Sequence, residues 1–133
     1  MEGYIDRIKK YVYDGGQLKD LQLDITHIHP SFVSFHSKKY NRITLYSDDI
    51  MEIVAICWLE GQSSGFHGHP GECVYKILQG EMIEEYEAKG QRRILQSGQQ
   101  GYIDNSIDTH NMIAMKDTIS FHVYSPPFLV KKL

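Results

Sequence analysis

Three histidines and one polar strand face carry the residue types that could do chemistry. His67 and His69, separated only by Gly68, fall on one face if the chain there is extended, so two imidazoles could grip a single ion. His110, on a later predicted strand, would complete a three-nitrogen set. A lone histidine is more often a surface or core residue, so the pair needs its surroundings to mean anything. Those surroundings include Cys73, which heads the alternating run CVYKILQ. In TISFHVY, Ile119, Phe121 and Val123 share one face while Ser120, His122 and Tyr124 share the other. Such a strand packs a core on one side and lines a site on the other.

The elements that must position these groups follow from periodicity. Tyr4, Ile5, Ile8, Tyr11 and Val12 recur at helical spacing up to Asp14-Gly15-Gly16, and a second short helix is predicted through Leu18 and Leu21. From Lys39 onward the pattern changes to short alternating runs: YNRITLY, MEIVAICW, CVYKILQ, EMIEEYEA, RRILQ, GYID, HNMIAM and TISFHVY. Glycine-rich or Lys-Asp breaks separate them. The prediction is a mainly β, single-domain fold, with residues 1–38 mainly helical and 39–133 forming a small antiparallel barrel. MEIVAICWLEG is apolar on both faces, which predicts a central strand with Trp58 near the mouth of the cavity.

Composition narrows the partners. With 133 residues, 41% hydrophobic and 23% charged, the chain suits one globular core. The net charge is only -3 and the 14 basic residues are scattered, which argues against nucleic acid as a partner. The opening MEGYIDRIKKYVYDGG is charged throughout and no apolar run approaches a bilayer span, so neither a secretory signal nor a membrane anchor is expected. A cytoplasmic monomer or weak homo-oligomer is the corresponding expectation. Two cysteines, Cys57 and Cys73, are too few for a disulfide scaffold and are expected as thiols.

The glycines around the histidines carry a resemblance. The string Gly61-x5-His67-x-His69-x3-Cys73-x6-Gly80, followed by Gly101-x8-His110, resembles the two metal motifs of the cupins, with Cys73 where cupins usually have glutamate. The segments YNR (40–42), CWLEGQSSGFHGH (57–69), CVYKILQGE (73–81), GYIDNSIDTH (101–110) and SFHVYSPPF (120–128) resemble the cysteine dioxygenases of the arginine type, a thiol dioxygenase family within the cupins. The chain departs from that pattern at Gly68, Asp108, Asn111 and Ala114.

The resemblance implies that His67, His69 and His110 hold a mononuclear Fe(II). Three neutral ligands leave the ion its full charge and favour an entering thiolate. It further implies L-cysteine and O2 as substrates and a cysteine sulfinate product. Arg42, a planar fork, and Tyr40 would anchor the carboxylate beside Trp58. Ser120 and His122 would support Tyr124 as a hydrogen-bonded relay. A Cys73–Tyr124 thioether, as in animal members, and a cis Ser125-Pro126 bond are also implied. Oxidation of another small thiol such as 3-mercaptopropionate, and a non-catalytic metal-binding cupin acting as sensor or structural module, stand as alternatives.

Overall fold

The computed structural model describes residues 2–68, 71–88, 90–104 and 109–127. Each of the eight predicted runs becomes an antiparallel strand within two residues of its expected ends: β1 (Asn41–Ser47), β2 (Glu52–Trp58), β3 (Glu72–Gln79), β4 (Glu81–Tyr86), β5 (Arg92–Gln96), β6 (Gln100–Ile103), β7 (His110–Ala114) and β8 (Thr118–Ser125). They form a five-stranded sheet in the order β1-β2-β8-β3-β6 and a three-stranded sheet in the order β5-β4-β7. The Ser125-Pro126 peptide is cis, as expected.

The N-terminal part is less helical than its pattern predicts. α1 (Glu2–Tyr13) is present, but Leu18 and Leu21 sit at a single 3-10 turn, Leu18–Asp20. The reason lies in the next residues. Leu21, Leu23 and Ile25 are buried while Gln22 and Asp24 are exposed, a period of two that belongs to an extended chain. This strap is tied to the outer face of the large sheet. Leu23 N–H donates to Gln100 Oε1 at 2.9 Å, Gln100 Nε2 donates to Leu21 O at 2.7 Å, and Lys76 Nζ donates to Ile25 O at 2.7 Å.

Two cores result. Ile53, Ala55, Cys57, Val74, Phe121 and Val123 pack outward against the strap, Phe32 and Ile8 of α1. Val54, Ile56, Trp58, Tyr75, Ile77 and Tyr124 pack inward against Met82, Leu95, Met112 and Ala114 of the small sheet. The large sheet is therefore covered on both faces, which is why every residue of β2 is buried. No helix among the described residues is long and apolar enough to cross a membrane.

Residues 61–67 run beside β7 as an irregular edge. Gly61 N–H donates to Ala114 O, Ser64 N–H to Met112 O, and His67 and His110 exchange two backbone hydrogen bonds of 3.0 Å. This pairing carries the first histidine to the third. At the β3–β4 corner, Gly80 has φ +99°, and a Cβ there would lie 2.6 Å from Asp117 O and 2.8 Å from Thr118 Cα. Gly80→Ala is expected to lower stability by about 2 kcal/mol, measured as a lower urea midpoint with an unchanged slope.

Candidate active site

His67 and His110 meet inside the barrel mouth with ring centroids 4.6 Å apart. Their tautomers are set by what Nδ1 touches. His67 Nδ1 lies 2.9 Å from Gly65 O, and a carbonyl only accepts, so Nδ1 carries the proton. His110 Nδ1 lies 2.8 Å from Glu84 Oε2. Burial alone would push Glu84 up, but hydrogen bonds from His110, Arg93 and Tyr75 and the nearby guanidinium bring it down to about 2. It is a carboxylate and His110 Nδ1 donates to it. In the neutral form of each ring this leaves the lone pair on Nε2, the arrangement a divalent metal needs from imidazole. Burial holds His67 below its ordinary value, which favours that neutral form. His69 lies outside the described residues.

Glu84 reaches His110 through sheet register. It stands directly opposite Arg93 on β5 and diagonally from His110, whose β4 partner is Tyr86. Arg93 Nε donates to Glu84 Oε1 at 2.8 Å, and Tyr75 bonds both groups from beneath. Gly101 makes room for this, since a Cβ there would lie 2.5 Å from the Tyr75 ring.

The polar face of β8 supplies the opposite wall. Trp58 Nε1 donates to Ser120 Oγ at 2.9 Å, Ser120 Oγ lies 2.7 Å from His122 Nε2, and His122 Nδ1 lies 3.3 Å from the Tyr124 hydroxyl. Trp58 can only donate, so Ser120 accepts from it; when the Ser120 hydroxyl in turn donates to Nε2, the ring proton sits on Nδ1 and points at Tyr124. The His122 ring lies near-parallel to Tyr75 and Tyr124, with centroids 5.5 and 5.7 Å away. Cys73 is the cross-strand partner of Tyr124 and its Sγ is 3.9 Å from His122 Nδ1. Burial pushes both the Cys73 thiol and the Tyr124 hydroxyl well above their ordinary values, so both stay protonated. A thiol in that state is a poor metal ligand.

Arg42 closes the site on the β1 side, its guanidinium 5.3 Å from the centre of the Tyr124 ring. It forms a two-pronged ion pair with Glu52, Nη2–Oε1 3.1 Å and Nη1–Oε2 3.3 Å, and Glu52 is only 3% exposed. Arg42 also shares a hydrogen bond with the Tyr124 hydroxyl. The enclosed cavity is about 220 Å³ and is lined by groups from all these walls, including Arg42, His67, His110, His122 and Tyr124. Trp58 is buried rather than at the mouth, roofed by the stacked ring of Tyr40 at 4.6 Å.

Eight of the ten residues singled out in the sequence therefore line one cavity, Ser120 is hydrogen-bonded to two of them, and His69 is not described; Asp108 and Phe128 also fall outside the described residues. Glu52, Glu84 and Tyr75 were not foreseen. The available signal was parity: Glu52 shares a face with Val54, Ile56 and Trp58, Glu84 with Met82, and Tyr75 with Cys73.

Two facing antiparallel sheets with imidazoles gathered at one end of the barrel define a cupin. A solved RmlC-like cupin from Desulfovibrio desulfuricans superposes with a TM-score of 0.66 at 20% identity, over 77% of this chain and 97% of that one. A cupin superfamily protein from Desulfitobacterium hafniense does so with a TM-score of 0.66 at 17% identity, over 83% of this chain and 98% of that one. Within the cupins the chain belongs to the cysteine dioxygenase type I family, whose family model matches residues 24–132. Cysteine dioxygenase type 1 of Bos taurus is 31% identical and that of Homo sapiens 30% identical over 112 residues, each match covering 73% of this chain. The chain spans 56% of the length of these relatives.

The Arg42–Glu52 pair generates a stability prediction. Arg42→Ala strands a buried carboxylate and is expected to cost about 3 kcal/mol. Adding Glu52→Gln to that variant should recover part of the loss in chemical denaturation, because the stranded charge is gone.

Proposed function

We propose that this chain is a mononuclear non-heme iron thiol dioxygenase that converts L-cysteine and O2 to cysteine sulfinate in the cytoplasm. The observation that carries the reading is that His67 and His110, each with Nδ1 engaged, share one small cavity with Arg42 and Tyr124. Family membership supports it. His67, His69 and His110 would hold the metal, which when bound would supply coordination positions for the thiolate and for dioxygen. Both oxygen atoms pass to the sulfur, which is oxidised by four electrons as O2 is reduced by four, so no external reductant is needed.

The remaining residues bind and orient. Arg42 and Tyr40 face the substrate carboxylate, while Ile56, Ile103 and Met112 exclude water from the reacting sulfur. The Trp58–Ser120–His122 chain holds the Tyr124 hydroxyl in place to hydrogen-bond the substrate or reacting oxygen. Glu84 orients His110 and does not touch substrate. A Cys73–Tyr124 thioether would join Sγ to the ring carbon beside the hydroxyl, with loss of two hydrogens and O2 as the oxidant. Their cross-strand pairing favours this. It would restrict the phenol rather than create its chemistry.

Iron-loaded protein incubated aerobically with L-cysteine should yield the sulfinate, read by mass spectrometry of products; no sulfinate from L-cysteine or 3-mercaptopropionate would end the proposal. Cys73→Ala should keep measurable activity, whereas Tyr124→Phe should lose about tenfold or more in kcat. Glu84→Gln should weaken iron affinity by about tenfold to a hundredfold, read directly as bound metal after dialysis against a chelator.

A further inference from the structure

Arg42 is the residue that would select a carboxylate, yet its charge is already answered. Glu52 sits behind it at the start of β2, buried, opposite Tyr124 on β8, and holds the guanidinium through both terminal nitrogens at 3.1 and 3.3 Å. Nothing in the barrel scaffold requires an acid there. The neighbouring inward positions on β2 are Val54, Ile56 and Trp58, and none of them carries a charge that needs a counter-ion. Around the other end of the cavity, Glu84 is matched by Arg93 in the same way. The wall that faces the far end of the substrate is thus a neutral pair rather than an isolated cation.

A carboxylate entering beside Arg42 meets an attractive guanidinium and, one side chain further, the repulsive carboxylate that this guanidinium already touches. Glu52 is itself buried, so the second charge is weakly screened and cancels much of what the first supplies. Arg42 can still donate hydrogen bonds, but the charge preference that makes arginine a strict carboxylate selector is muted.

We infer that Glu52 is a specificity-determining residue that relaxes the requirement for a carboxylate, so that the site accepts small thiols carrying an amine whether or not they also carry an acid. The inference rests on the thiol dioxygenase reading and names the substrate class of the same cavity. Glu52 touches no substrate. It acts through the charge of Arg42.

The test compares L-cysteine with 2-aminoethanethiol, which has the same thiol and amine and lacks the carboxylate. In the wild-type enzyme the ratio of kcat/KM for the two thiols should be below about tenfold; a larger preference for L-cysteine overturns the inference. Glu52→Gln keeps the shape and removes the charge. It should raise that ratio by about tenfold or more, through a lower KM for L-cysteine, while leaving 2-aminoethanethiol within about threefold. A merely structural role would lower both rates together and leave the ratio unchanged, and that result also overturns the inference. Should Glu52→Gln fail to fold, the wild-type ratio alone decides. The same comparison read anaerobically, as dissociation constants by calorimetry, needs no turnover. Absence of sulfinate with either thiol would then end the dioxygenase reading while the binding ratio still judges Glu52.

Discussion

The structure depends on the pleat of β8. Its alternate side chains serve two different environments: Ile119, Phe121 and Val123 face the outer core, while His122 and Tyr124 face the cavity and Ser120, on the same side, hydrogen-bonds His122. A slip of one residue in its register would exchange the two sets, placing three polar groups in an apolar core and three apolar groups in the site. β2 and β3 flank β8 and share the same obligation. Val54 pairs with His122, and Cys73 with Tyr124. The apolar half of each strand thus holds the reactive half in place. The positioning of the site is a product of core burial on the other side of the sheet.

Charge inside the barrel follows a second rule. Each buried carboxylate is matched by an arginine on an adjacent strand, Glu52 by Arg42 and Glu84 by Arg93. A buried ion without a partner would cost several kcal/mol, so the two glutamates could persist only as pairs. The pairs do different work. Glu84 directs His110 through its second oxygen, while Glu52 gives both of its oxygens to one guanidinium.

Most of the fold was legible because strands announce themselves by alternation and turns by glycine, and these are local signals. The eight strands and the inward face of β8 follow from period two alone. The strap Leu21–Ile25 was misjudged because Leu18 and Leu21 at helical spacing precede a strand-like pattern that only a nearby sheet face could make sense of. The candidate metal ligands were picked out by type and spacing, and the roles proposed for them came from resemblance. Glu52 and Glu84 were not. Each reads as an ordinary surface acid at or within a strand, and burial becomes visible only when Arg42 and Arg93 arrive from strands distant in sequence.

The strap has a consequence for how this protein is divided. The family match begins at residue 24, within the segment that Gln100 and Lys76 clasp, and leaves α1 and Leu18 outside. Yet Ile8 and Leu18 cover the same outer face as Phe121 and Val123. The evolutionary module and the cooperative folding unit are therefore not coextensive. A fragment trimmed to the recognised homology would retain every residue of the candidate site and bare a hydrophobic flank of the large sheet, inviting self-association. Conservation of chemistry marks one boundary in this chain, and the need to keep water from the back of the sheet marks another.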